Sequence, residues 1–321
     1  MMMRRKVDNY AKYGYIFSIP FVVAFLFFSL YPLIYTTVIG FTDLQGLGKS
    51  SFSFLSNPFE NFQIVLTAPT FQSSVRNTFV IWIINFIPQI LLALLLTAWF
   101  TSRRYRIRGQ GAFKVMLYMP NIITAATIAI LFNVLFMHPT GVVNHILQTV
   151  GILESSFNFI NSMLASQLII AFIQFWMWYG YTMLILISGV LGMSPDMFEA
   201  ADIDGASGFQ AFFFITLPNL RTILLFTLVT SLIGGLNMFD IPRLFNNGGP
   251  DNATTTASVF IFRQAFAGSY MYNRAAAASI VMFVIIALLS AILFYFMRDK
   301  EAIRLKKEEK LERQAAREAV K

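Results

Sequence analysis

Two rows of residues in this chain combine side chains that recognise a ligand rather than break a bond. In the first, Gln174, Phe175, Trp176, Trp178, Tyr179, Tyr181 and Thr182 crowd together. Of these, Phe175, Trp178, Tyr179 and Thr182 follow the i, i+3, i+4, i+7 spacing of one helical face. In the second, Ser231, Gly234, Gly235, Asn237, Met238, Phe239 and Asp240 alternate small, amide and apolar groups. Aromatic planes beside amides and hydroxyls suit a ligand with both C–H faces and polar edges. A third cluster is acidic: Asp196, Glu199, Asp202 and Asp204, with no basic residue from Ser194 to Asn219. Groups for covalent or metal chemistry are missing. There is no Cys, and the two His, His138 and His145, belong to no ligand cluster. Gly48-Lys49-Ser50 has Asp43 where a phosphate-binding loop needs Gly. No catalytic residue, metal site or bound cofactor is expected.

The elements that position these rows must sit in lipid. Of 321 residues, 57% are hydrophobic and only 12% charged, about half the charged share of a soluble domain. Mean hydropathy is +0.64. Runs of ~20 apolar residues, enough to cross a bilayer, occur six times. They cover about Tyr13 to Ile39, Phe79 to Phe100, Phe113 to Met137, Met163 to Gly192, Leu220 to Ile241 and Ala275 to Met297. The first is too long, and lacks the cleavage site, for a removed signal peptide. All but five of the 24 Lys and Arg fall on one side of this arrangement; the exceptions are Lys49, Arg76, Arg243, Arg263 and Arg274. Basic loops stay in the cytoplasm. The expected protein is therefore an all-α, multi-pass cell-membrane protein with both termini cytoplasmic. Residues 1–12 form a cytoplasmic tail and 13–298 the six-span domain. A charged cytoplasmic tail, 299–321, alternates Glu with Lys and Arg like a solvated helix.

On the outer side, residues 40–75 read as a polar loop. Val142, Val143, Ile146, Leu147 and Val150 predict a short surface helix, and Asn246-Asn247-Gly248-Gly249-Pro250-Asp251 a turn. On the inner side, residues 194–219 break the charge rule. Ser194 caps a helix with Pro195 at its first position, and Gly205 ends it left-handed. Phe198, Ala201 and Ala206 would expose apolar surface there. Four acids beside an anionic leaflet are repelled, so a basic cytoplasmic partner is expected to cover this helix. Asp240 is read either as a ligand contact or as paired with Arg243, and Asn85 and Gln89 chiefly as glue between helices.

The acidic segment carries a resemblance. Glu199-Ala200-Ala201, Asp204-Gly205-Ala206, Ile215, Leu217 and Pro218 resemble the EAA motif of ABC importer permeases. Further likenesses cover about residues 10 to 300. Phe59-Glu60-Asn61-Phe62, Asn77-Thr78, Arg108-Gly109 with Phe113, Met119-Pro120, Asn247-Gly248-Gly249-Pro250 and Ala275-Ala276-Ala277-Ala278-Ser279 resemble carbohydrate permeases. They are of the type related to the larger maltose permease, in its multiple-sugar or arabino- or galacto-oligosaccharide branch. Pro195 stands four residues before Glu199, where many members have five, so the register of span four stays open by one residue.

The resemblance implies a six-span type I importer fold with a cytoplasmic coupling helix. Glu199, Ala200, Ala201, Asp204 and Gly205 would dock on a separate ATPase subunit, which uses ATP and Mg. A second, homologous permease would complete a heterodimer, with two ATPase subunits and an extracytoplasmic sugar-binding protein as further partners, and no nucleic acid. Sugar contacts would fall on Phe175, Trp178, Tyr179 and Thr182, and on Ser231, Gly235 and Met238; Asn237 and Asp240 join them from the residue reading. Two alternatives remain: a permease for a polyol phosphate such as glycerol phosphate, and an ion-coupled secondary transporter. The first wants basic residues along the path, and the second wants mid-membrane carboxylates.

Overall fold

The computed structural model describes residues 11–102 and 108–297. The basic groups Arg4, Arg5, Lys6, Arg103, Arg104 and Arg106 and the charged tail from Arg298 lie outside the described residues. In chain order the helices begin with α1 (Ala11–Phe25) and α2 (Tyr31–Ile39), joined by a π-helical turn, Leu26–Leu30. Then follow α3 (Glu60–Thr67), α4 (Pro69–Phe100), α5 (Gln110–Ile122), α6 (Ala125–Leu135), α7 (Val142–Thr149), α8 (Met163–Leu191) and α9 (Pro195–Ile203). A second π-helical turn, Ala211–Thr216, links α10 (Gly208–Gln210) to α11 (Leu217–Asn219). The chain ends with α12 (Arg221–Leu236), α13 (Asp240–Asn246), α14 (Ala257–Phe266) and α15 (Tyr272–Met297). Both π turns run into a proline, Pro32 or Pro218. A ring without an N–H forces the preceding turn to re-route its hydrogen bonds, here as i→i−5 contacts from Tyr31 to Leu26 and from Leu217 to Phe212.

Among the described residues, five helical stretches are long and apolar enough to cross a membrane: Tyr13–Ile39, Pro69–Phe100, Met163–Leu191, Arg221–Asn246 and Tyr272–Met297. The expected third span is not one rod. α5 and α6 meet at 87°. Ile123 is extended, and Thr124 caps α6 by accepting the Thr127 N–H, so a new helix starts in a new direction. Span two begins at Pro69, ten residues before the apolar run at Phe79, because hydropathy marks only the part in hydrocarbon while the helix continues through Gln72, Ser73, Ser74 and Arg76. Span five breaks at Asn237–Phe239 before α13 resumes. The short surface helix is present as α7. It buries Asn144, whose amide bonds the Phe157 backbone at both atoms, and leaves Val142 and Ile146 about half exposed.

The described residues form two compact units, one of 11–68 with 261–281, the other of 69–260 with 282–297. In the first, Asn61 is the pin. Its Nδ2 donates to the carbonyls of Gly40 and Thr42 at 3.0 and 2.9 Å, and its Oδ1 accepts from Asn273 at 3.2 Å. The loop that reads as polar is thereby tied to a buried amide.

In the second unit α4 and α5 pack along α8. α5 crosses at Gly180, where a Cβ would lie 2.2 Å from the Leu117 carbonyl oxygen. Close approach through small residues suits lipid, where apolar burial gives no hydrophobic drive and dispersion and hydrogen bonds hold helices together. Asn121 Nδ2 donates to the Met177 carbonyl at 3.2 Å, and Asn133 donates to the Phe245 carbonyl. Ile81, Ile128, Ile170, Ile173, Ile241 and Phe245 fill the core between them.

Candidate functional site

A cavity of about 450 Å³ opens among α4, α8, α12 and α13. From span four it takes Gln174, Met177, Trp178, Tyr181 and Thr182. From the span-five side it takes Thr227, Thr230, Ser231, Gly234, Gly235 and the run Asn237 to Ile241. Seven of the nine candidate pathway residues therefore share one wall: Trp178, Thr182, Ser231, Gly235, Asn237, Met238 and Asp240. Phe175 and Tyr179 do not line it. Their rings stack on each other at 5.6 Å, and Tyr179 is buried with Ala93, Leu96 and Met183. The stripe that faces the cavity is 174, 177, 178, 181, one residue off the stripe the spacing suggested.

Three contributors come from α4: Trp82, Asn85 and Gln89. Trp82 is the residue sequence reasoning passed over. Its Nε1 donates to Ser231 Oγ at 3.4 Å, and its ring stacks on Phe86. Gly235 makes this approach fit, since a Cβ there would lie 2.0 Å from the indole Cδ1. Gln89 Nε2 donates to Thr182 Oγ1 at 2.8 Å, a bond between spans two and four. Both residues are buried, so it is the interhelical glue expected of Gln89, set in a cavity wall. Asn85 Nδ2 turns back to its own helix at Ile81 O, 3.0 Å.

The end of the cavity at Met238 is braced by the Asn-Gly-Gly-Pro turn. Asn247 and Gly248 take positive φ, as the turn signal requires. Thr254 Oγ1 donates to Asn246 Oδ1 and to the Gly249 carbonyl, both at 2.7 Å. Thr256 Oγ1 donates to the Met238 carbonyl at 2.9 Å. Asn77 Nδ2 donates to the Asn252 carbonyl at 2.8 Å, and Thr78 Oγ1 accepts the Ala257 N–H at 2.9 Å. The Asn77-Thr78 pair in span two thus holds the loop between α13 and α14 in register. Among the described residues, Asp240 is the one Asp, Glu, Lys or Arg on the cavity wall.

The acidic segment forms a second site. Ser194 Oγ accepts the Asp196 N–H and Pro195 opens α9. At the other end the Gly205 N–H reaches Asp202 O and the Ala206 N–H reaches Ala201 O, with Gly205 at φ +73°. These two bonds are a Schellman closure, and the left-handed residue in it is Gly because a Cβ would strain it. Ser207 and Gln210 then make a reciprocal capping box for α10. The buried face differs from the expected one. Ala201 is only 7% exposed and Phe198 is half-buried against the chain itself, whereas Ile203 is 86% exposed. Glu199, Ala200, Asp204 and Gly205 face outward with Met197 and Ile203.

Residues 76–300 match the family described as binding-protein-dependent transport system inner membrane component. The chain is similar to the lactose transport system permease protein LacF of Rhizobium radiobacter, 29% identical over 90% of this chain and 95% of that one. It is 31% identical to the arabinooligosaccharides transport system permease protein AraP of Bacillus subtilis, over 87% of this chain and 86% of that one. Among solved structures it resembles a chain of a bacterial alginate ABC transporter in complex with an alginate pentasaccharide-bound periplasmic protein. There the TM-score is 0.73 at 23% identity, covering 92% of this chain and 98% of that one. The helices thus have the fold of a type I ABC importer permease.

Proposed function

From a chain that belongs to the family of binding-protein-dependent transport system inner membrane components, we propose a sugar importer in which the cavity on α4, α8 and α12 is the saccharide path. The protein is an ABC transporter permease for sugars, a transport subunit of the cell's inner membrane that works with a solute-binding protein. The observation that carries the assignment of the path is the composition of the cavity wall. Trp82, Trp178 and Tyr181 supply aromatic faces, and Asn85, Gln89, Gln174, Ser231 and Asn237 supply hydrogen-bonding edges. A polyol phosphate would need cationic partners when it leaves water, and among the described residues no Lys or Arg lines this wall.

The motor is read from α9. Its exposed face, Met197, Ala200 and Ile203 flanked by Glu199, seats in a cleft of an ATPase subunit, with the chain termini on the same, cytoplasmic side. Apolar contacts of Ile203 supply most of the affinity, and Glu199 sets register against a basic group. ATP and Mg are bound by that partner. Closure of two such ATPases drags α9 of this permease and of a homologous second permease, and the halves rock about the cavity in alternating access.

Reconstitution of the complete complex tests this. Uptake of a neutral oligosaccharide from its receptor is expected to need internal ATP. Uptake that instead follows an ion gradient without ATP overturns the reading.

A further inference from the structure

Two of the residues that the resemblance makes sugar contacts, Ser231 and Gly235, already have an occupant in this chain. The half-buried indole of Trp82, on α4, reaches both. Ser231 and Gly235 stand four apart on α12 and so share a face. Ser231 Oγ accepts the indole N–H at 3.4 Å. At Gly235 a Cβ would lie 2.0 Å from Cδ1, 2.7 Å from Nε1 and 2.9 Å from Cγ, so the pyrrole edge fills the space that a side chain would take. Those atoms are at the root of the ring, which cannot yield without turning the whole indole. Phe86, buried one turn along α4, lies beside that ring at 5.4 Å with 19° between the planes. The open space beside the ring is the cavity, which Trp82 and Gly235 both line. Gly234 lines it too, and there a Cβ would meet nothing within 4 Å. Of two adjacent glycines, one is required by an indole and the other is not.

We propose that Gly235 and Ser231 form a slot that parks the Trp82 indole and so sets the width of the path. Gly235 is then a positioning residue, acting through Trp82 and not by touching sugar. Any side chain at position 235 turns the indole toward the cavity and leaves less room for a ligand. Ligands that fill the cavity lose most, so the pair Trp82 and Gly235 determines the size of saccharide that passes. The proposal rests on the sugar reading above.

A double-mutant cycle in the complete reconstituted complex tests this: Gly235→Ala, Trp82→Ala and the two combined. Uptake is measured per folded complex with neutral maltooligosaccharides or arabinooligosaccharides, taking the shortest and the longest that the wild type moves. With Trp82 present, Gly235→Ala is expected to cut uptake of the longest about tenfold, a typical cost of overpacking, and of the shortest by less. In the Trp82→Ala background the same change is expected to cost no more than about twofold, since the ring it would strike is gone. The melting temperature of the purified complex gives a readout that needs no transport. Gly235→Ala is expected to lower it with Trp82 present and not in the Trp82→Ala background. Gly234→Ala is expected not to lower it, because Ala favours a helix over Gly where space allows. An equal cost of Gly235→Ala in both backgrounds, in either readout, would mean that Gly235 acts without the indole and overturns the slot. Coupling confined to the melting temperature, or an equal loss for both saccharides, would leave a packing contact and overturn its part in transport. If Trp82→Ala itself stops uptake, the melting cycle decides the slot, and the long-to-short ratio of Gly235→Ala decides its part in transport. A wild-type complex that moves no sugar would overturn the importer reading, and the melting cycle would still decide whether the slot exists.

Discussion

At the scale of single residues, the cavity depends on which side of α8 a ring faces. Trp178 is 42% exposed on the wall, and Tyr179, its neighbour in sequence, is 8% exposed in the core. Asn237 caps the end of α12, and it and Trp178 both line the cavity. Trp178→Ala removes a stacking plane and Asn237→Ala removes a donor and an acceptor. Each is expected to change the order in which sugars stimulate uptake, by about tenfold for the most affected sugar. A competition panel in proteoliposomes reads this out, and an unchanged order would place the path elsewhere. The sequence shows the aromatic and polar types on span four but cannot choose between two adjacent stripes, because both carry rings at helical spacing. The choice is made by neighbours far away in sequence: α4 and α5 flank α8, and Phe175 stacks with Tyr179 on the packed side. Trp82 was missed for a related reason. On its own helix it reads as one more apolar residue in a span, and only Gly235, far along the chain, shows where its ring goes.

At the scale of elements, legibility follows how local the determining interactions are. The caps of α9 were readable, since Ser194, Pro195 and Gly205 act within a few residues of where they stand. The π turns before Pro32 and Pro218 and the corner between α5 and α6 were not, because an uninterrupted apolar run hides a change of direction. The outward face of α9 was misjudged for the same cause: Phe198 and Ala201 find cover on this chain, and Ile203 does not. Gly205→Pro fixes φ near −65° where the closure needs +73°. Any non-Gly residue there costs about 1–2 kcal/mol. Gly205→Pro and Glu199→Ala are expected to cut uptake at least tenfold and to weaken ATPase association in a pull-down. Sugar binding by the soluble receptor stays unchanged. Full ATPase retention in both variants would count against docking at α9.

At the scale of the whole molecule, the absence of cysteine makes orientation directly measurable. A single cysteine at Ala200, exposed on α9, is expected to react with a membrane-impermeant maleimide only in inverted vesicles. One at Ser50, in the exposed loop of the first unit, is expected to react in intact cells. The opposite pattern would invert the topology and with it the direction of transport. Composition was enough to read an all-helical chain with, among the described residues, five spanning helices and a sixth segment bent at α5–α6, because bilayer thickness acts on whole segments. It could not show that the first crossing, Tyr13–Ile39, has none of its most apolar stretch buried within the chain, since hydropathy does not distinguish lipid from protein as a neighbour.

The back-to-back closure at Gly205 and Ser207 has a mechanical meaning. A nine-residue helix does not hold its shape alone in water, yet here its turns are locked before anything binds. Little ordering entropy is lost on contact. Under the proposed docking, a displacement applied at Ile203 would meet a helix capped at both ends rather than a soft linkage.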